Sequence, residues 1–163
     1  MSEPREDQPI DDLAAAGNAL QELLEPARRR IWVHAHCRLL MALPEVDLGP
    51  AMSRVGRRTR HANLRLLIDD DLALKRGLPL LARTVTRLTT AISVRCLSPE
   101  KDSPATLLLV VDHEAWLYLV QHKGRIAMKL GAHDRPGNRI AAEDFAENWA
   151  VGSESLELRK LNL

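Results

Sequence analysis

Pro104-Ala105-Thr106-Leu107-Leu108-Leu109-Val110-Val111-Asp112-His113-Glu114-Ala115-Trp116-Leu117-Tyr118 is the stretch whose reading decides the fold. Ala105–Val111 is a Leu- and Val-rich run, Asp112-His113-Glu114 an acidic turn, and Ala115–Val120 a second apolar run. A run of that kind between turn residues fits a strand buried on both faces. The first run contains no carboxylate, imidazole, thiol or amine. It therefore supports a core and offers no acid, base or metal ligand of its own.

Working outward, strand and helix alternate before this pair. Ile31–Cys37, Asn63–Ile68 and Ala91–Leu97 read as strands, and Gly124–Leu130 follows the pair as a sixth. Helical periodicity marks Ile10–Leu24, with Asp11 and Asp12 at its favourable N-terminal end, and Ala51–His61. It also marks Leu72–Thr90, interrupted near Gly77-Leu78-Pro79, and Ile140–Val151. Leu39–Leu43 fits a short helix or a turn, Pro44 and Gly49-Pro50 punctuate the chain, and Gly131–Asn138 reads as a loop. Leu156–Leu163 fits a short strand or a docked tail. Alternation calls for parallel pairing among the first three strands, and the close spacing of the last three calls for antiparallel hairpins. The expectation is one α/β domain over residues 10–163, with a mixed, mostly parallel sheet of about five to seven strands flanked by helices.

Bulk composition agrees. The 163 residues are 45% hydrophobic and 28% charged, enough for a packed core. Aromatics are 3%, so Leu, Val, Ile and Ala must build that core. A formal charge of +1 gives no global reason to expect a polyanion partner. Residues 1–9 are polar and Pro-containing and read as a disordered lead-in rather than a targeting segment. No run approaches the length needed to cross a bilayer. Cys37 and Cys96 read as reduced core thiols of a cytoplasmic protein, with disulfide pairing left open.

Ligands in open α/β sheets gather outside the carboxyl ends of the strands. His34 and His36 leave the first strand on one face, Asp69, Asp70 and Asp71 leave the second, and Asp112 and His113 leave the fourth. Were these ends adjacent, imidazoles and carboxylates would converge as a hydrolytic, metal-binding or anion-binding site. The plainer reading makes the aspartates helix caps and the Asp112 region a tight turn. It is preferred, because His-x-His without a third ligand is a weak metal signal, and no metal is assigned. Arg28, Arg29 and Arg30, and Arg57, Arg58 and Arg60, each precede a strand. They would share the amino-end side of the sheet as a phosphate or nucleic-acid patch, or simply as a solvated face, which the near-neutral total favours. Gln121-His122-Lys123-Gly124-Arg125-Ile126 approaches a pyrophosphate-cradling pattern but has Ile126 at the last position, so a hairpin turn is the better reading.

The order of elements, with Arg30, Ile68-Asp69, Leu80-Leu81, Arg95, Asp112, Phe145 and Trp149, resembles one half of the phospholipase D fold. More closely, it resembles an uncharacterised bacterial domain family often found behind acetyltransferase domains. Active phospholipases D carry H-x-K-x4-D. With Asp112 as the acid, the resemblance puts Ala105 at the nucleophilic His and Leu107 at the phosphate-binding Lys. Alanine has no nucleophile and leucine cannot stabilise a phosphorane's charge. No other H-x-K-x4-D occurs in the chain. The resemblance thus implies a non-catalytic interaction or regulatory module with no cofactor. Its partner would be an unknown protein or a second copy, with no membrane and with nucleic acid not favoured.

Overall fold

The structure is a computed structural model that describes residues 5–10, 13–43 and 48–159. Asp11, Asp12, Pro44 and residues 160–163 lie outside the described residues. Eight strands form one sheet: β1 (Arg5–Ile10), β2 (Arg30–Ala35), β3 (Asn63–Ile68), β4 (Ile92–Cys96), β5 (Ala105–Val111), β6 (Ala115–His122), β7 (Arg125–Gly131) and β8 (Ser153–Glu154). Seven helices flank it: α1 (Leu13–Leu24), α2 (Cys37–Ala42), α3 (Leu48–Arg58), α4 (Asp71–Gly77), α5 (Pro79–Arg87), α6 (Arg135–Val151) and α7 (Leu156–Arg159).

The strand order is β1-β7-β6-β5-β2-β3-β4-β8. β2, β3 and β4 pair in parallel, as the alternation requires, and β5, β6 and β7 form antiparallel hairpins. β5 joins the parallel group antiparallel to β2, with Val33 opposite Leu109. Ala105–Val111 therefore sits at the centre of the sheet, which is why its residues are apolar on both faces. The turn between β6 and β7 places Lys123 and Gly124 at φ 51° and 76°. Two successive positive φ values match the twist of a two-residue hairpin, so Gln121–Ile126 is a turn and not a pyrophosphate cradle.

Five of the seven pairings are antiparallel, because β5 to β7 and the two outer strands all enter antiparallel, so the sheet is mixed but not mostly parallel; three local expectations change as well. Residues 5–9, read as lead-in, carry an outer strand that pairs antiparallel with β7, and Ile10 belongs to it rather than to α1. α6 begins five residues before Ile140, because Asp134 caps it by accepting from the Gly137 N–H at 3.1 Å and Pro136 lies in its first turn. Gly137 is needed there, since a Cβ would collide with the Asp134 carboxylate and the Trp116 indole nitrogen. The C-terminal tail supplies both a two-residue strand and a short helix.

The two sheet faces are covered unequally. One face supplies Ile31, Val33, Leu64, Leu66, Ile68, Leu107, Leu109 and Val111 to a large core shared with α1 to α5 and Leu158 of α7. Among the described residues, α6 is the one helix that covers the other. Its core is small: Trp32, Leu67, Leu108, Val110, Ala141, Phe145 and Trp149. Phe145 stacks on Trp32 at 5.0 Å and on Trp149 at 5.7 Å, so the i, i+4 pair does meet on one helix face.

Candidate functional site

The antiparallel entry of β5 divides the expected cluster in two. The carboxyl ends of β2 and β3 hold His34, His36 and Asp69. The carboxyl end of β5 lies at the opposite rim, about 17 Å away along the strands. Asp112 and His113 accordingly meet Arg28, Arg29 and Arg30, which lead into β2, and not the two histidines. Sequence order alone hides this, because the rule that gathers strand ends holds only for strands running the same way.

At the amino rim, Asp112 adopts φ 49°, in the left-handed region that Asp tolerates better than most side chains. Its Oδ1 accepts the N–H of Arg29 at 2.8 Å and of Arg30 at 2.9 Å, and its Oδ2 accepts that of Arg28 at 3.0 Å. Its carbonyl oxygen accepts from the Arg30 guanidinium through Nε, at 2.8 Å, and Nη2. Asn138, buried on α6, completes the knot. Its Oδ1 accepts from Arg30 at 3.0 Å, and its Nδ2 donates to the carbonyls of Ala115 (2.7 Å), Asp112 (3.2 Å) and Val111 (3.3 Å). Burial holds the Arg30 guanidinium below its ordinary value, with Asp112 opposing that and Arg65 adding to it. His113 is exposed, its Nδ1 3.4 Å from Arg30. This arrangement fastens α6 and the β5–β6 turn to the start of β2. Asn138 was missed in the sequence because it was placed in a loop.

At the carboxyl rim, a cleft of about 470 Å³ is lined by His34, His36, Asp69, Thr106, Tyr118 and Asn148, among others. His36 Nδ1 accepts the Thr106 N–H at 3.0 Å, which puts the ring proton on Nε2, a buried atom with no hydrogen-bond partner among the described residues. His34 is held below its ordinary value by burial first and then by His36, while Asp144 and Asp69 pull the other way. The aspartates serve three different helix starts. Asp69 accepts the Cys37 N–H of α2 at 2.8 Å, and Asp70 caps α4 through the Ala73 N–H at 3.1 Å. Asp71 accepts from Ser155 Oγ at 2.9 Å and from the Glu157 N–H of α7 at 3.1 Å. The reading of Asp69–Asp71 as caps of the next helix therefore holds for Asp70 alone, while Asp69 and Asp71 accept N–H groups of helices elsewhere in the chain. Among the described residues, no three His, Cys, Asp or Glu side chains come together as a metal set.

Ala105 and Leu107 are 1% and 0% exposed and belong to the large apolar core. α1 and α2 pack over β5 there, so the side of the strand that would carry an H-x-K pair faces packed hydrocarbon. Arg57, Arg58 and Arg60 lie at the same rim as Arg28 and Arg29, since the Asn63 N–H donates to the Arg29 carbonyl at 2.7 Å. They border a shallow cleft of about 440 Å³ with Thr59 and Thr90. Cys37 and Cys96 are both free thiols, as expected. Among the described residues no helix is long and apolar enough to cross a membrane.

A second constellation was not singled out from the sequence. The guanidinium groups of Arg30 (4.5 Å) and Arg65 (5.0 Å) lie over the Trp32 ring, and those of Arg65 (5.1 Å) and Arg95 (4.7 Å) over the Trp149 ring. Arg95 also donates to the Trp149 carbonyl at 2.7 Å. The readable signal was an arginine in the middle of an otherwise apolar strand, Leu64-Arg65-Leu66.

Comparison with solved structures agrees with this topology. The archaeal chromatin protein TrmBL2, described as showing a novel mode of DNA binding, superposes with a TM-score of 0.66 at 14% identity. That match covers 93% of this chain and 55% of TrmBL2, so the chain spans about half of that protein. The phospholipase D family member Nuc from Salmonella typhimurium gives 0.64 at 13% identity, covering 94% of this chain and 99% of Nuc. NucT from Helicobacter pylori gives 0.57 at 10% identity, covering 94% and 100%. At these identities the likeness shows the phospholipase-D-like α/β fold. No curated protein is detectably similar in sequence. The model of one family, described as Domain of unknown function (DUF7931), matches residues 12–161, and the chain belongs to that family.

Proposed function

We propose that this chain is a non-catalytic phospholipase-D-like module that works by binding, as an interaction or regulatory domain. The observation that carries the reading is the burial of Ala105 and Leu107 in the apolar core, at the positions where the resemblance puts the nucleophile and the phosphate-binding lysine. A phosphodiester has no room beside them, and neither side chain supplies a nucleophile or a charge. The motif's third residue, Asp112, is spent on three backbone N–H groups. The hydrolase alternative through His34, His36 and Asp69–Asp71 gains little support, because each aspartate is already an acceptor for a helix start.

The test is an assay of the purified chain on bis(p-nitrophenyl) phosphate and on a labelled single-stranded oligonucleotide, with and without divalent cations. No turnover above the buffer blank is expected. Turnover that disappears in His34→Gln or Asp112→Asn, with the fold retained by circular dichroism, would overturn the reading.

A further inference from the structure

The sheet face under α6 is the less covered one, and its basic side chains form a row. Arg30, Arg65 and Arg95 stand on three successive parallel strands. Arg65 pairs in register with Trp32, two residues beyond Arg30, and Arg95 pairs with Leu67, two residues beyond Arg65. Each step moves one strand across and two residues along. Residues i and i+2 share a face, so all three point to the α6 side. Trp32 and Trp149 fill the gaps, and neighbouring guanidinium carbons lie at most about 10 Å apart.

The three arginines differ in what else they do. Arg30 is committed to the Asp112 carbonyl and Asn138. Arg95 gives one N–H to the Trp149 carbonyl. Arg65 has two indole faces and no carboxylate acceptor among the described residues. Burial first, and then the charge of Arg95, hold it below its ordinary value. Arg65 stands within cation–π distance of two indoles and is only partly buried, so its guanidinium N–H donors are available to a phosphate. Arg65 and Arg95 line an open cleft of about 490 Å³ with Ser93 and Trp149. A second, of similar size, holds Arg30 and Trp32 with Arg135 and Arg139 of α6. The acidic groups facing these clefts are Glu154 and Glu143.

We propose that this arginine–tryptophan ladder is a binding face for the phosphate backbone of a single-stranded nucleic acid. Stepped guanidinium groups match a chain of phosphates, and a positively charged groove that tracks the backbone is what sequence-tolerant strand binding uses. The proposal rests on the non-catalytic reading only in that the strand is held and not cut.

The experiment is fluorescence anisotropy of a labelled oligothymidylate of about 12 nucleotides, within the length one small domain covers. It is titrated with the full chain across a series of salt concentrations. Binding is expected at low salt, with log K falling against log salt by about 0.7 for each phosphate contacted. Arg65→Gln/Arg95→Gln should weaken binding about tenfold or more and flatten the slope by about 1.4. Arg65→Lys should keep most of the slope, since the charge remains, while losing affinity with the stacked plane. Tryptophan emission should change on binding to the wild type and not in Arg65→Gln. Arg57→Gln/Arg58→Gln should leave all of this in place. Absence of binding at low salt, an unchanged slope in the double variant, or polyglutamate competing as well as the oligonucleotide would each overturn the proposal. Running the incubated oligonucleotide on a gel separates the two readings. A cut strand refutes the non-catalytic assignment, and an intact, unbound strand refutes the binding face alone.

Discussion

Asp112→Ala is the most informative single change, because it asks whether the carboxylate that the resemblance aligns with the motif's acid is chemistry or architecture. The carboxylate accepts three backbone N–H groups at 2.8 to 3.0 Å. Bonds to a charged acceptor contribute roughly 1.5–3 kcal/mol when the donor is shielded and less when water replaces the acceptor. Arg28 and Arg29 are exposed and Arg30 is half-buried, so the three together are worth about 3 kcal/mol. Alanine at φ 49° adds about 1 kcal/mol of left-handed strain, for a loss of about 4 kcal/mol. Asp112→Gly removes the acceptor without the strain and should cost about 3 kcal/mol. Asp112→Asn keeps an acceptor and tolerates the backbone, and should cost about 1–2 kcal/mol. Urea denaturation followed by tryptophan fluorescence and circular dichroism measures all three, with the m-value expected to stay constant. If Asp112→Ala lost less than about 1 kcal/mol, or if the glycine variant matched the wild type, the carboxylate would not be fastening this rim and the argument would fall.

Three further changes test other parts of the molecule. Restoring the motif by Ala105→His with Leu107→Lys should yield no phosphodiesterase activity and cost at least about 4 kcal/mol, because an unpaired ammonium would enter an apolar core; a stable, active variant would contradict this. The Cys37 thiol is pushed up to about 12, by burial first and then by Asp69, and Cys96 to about 11. Cys37 should thus carry about a thousandfold less thiolate than a free cysteine near neutral pH, and a disulfide reagent should titrate it only after denaturation; rapid native labelling would refute that. His34 is held below its ordinary 6.5 when folded, so the unfolded chain takes up the proton more readily. Stability is therefore full above 6.5 and declines as pH falls below it toward the folded value. Urea midpoints should drop on acidification, and His34→Gln should reduce that drop; an identical drop would show the histidine is not responsible.

The fold was legible because its signals are local. Leu107 and Leu109 on one face with Leu108 and Val110 on the other demand a strand covered on both sides, and the alternating segments before them demand parallel crossovers. The hairpin at Lys123-Gly124 needs two residues at positive φ, and Gly is one of them. The start of α6 was misread because Pro136-Gly137 looks like a turn unless Asp134 is recognised as its cap. The site was much less legible. His34, Asp69 and Asp112 each follow a strand, so each satisfied the same rule, yet the direction of β5 puts Asp112 at the other rim. Strand direction is a property of pairing between distant segments, and nothing within Ala105–Val111 encodes it. For the same reason Arg65 gave no signal beyond its own oddity. Its role exists only once Trp32, from about thirty residues earlier, and Trp149, from the last long helix, are laid against it.

The unequal covering of the sheet is what connects these observations. Five helices and Leu158 seal one face, and there Ala105 and Leu107 are ordinary core. The opposite face has one helix, held by Asn138 at its start and by the Arg95 bond to Trp149 near its end. A single helix cannot cover the strands beyond it. Arg65, Ser93 and Arg95 are the residues it leaves beside the small aromatic core. A protein indifferent to that face would be expected to balance its arginines with carboxylates, as Arg135 is balanced by Glu114 at 2.8 Å on the rim. Arg65 is instead backed by indoles, which hold a cation in place without neutralising it. On this architecture Ala105 and Leu107 lie on one side of the sheet and the arginine row on the other, so the proposed binding face does not depend on chemistry at those two positions.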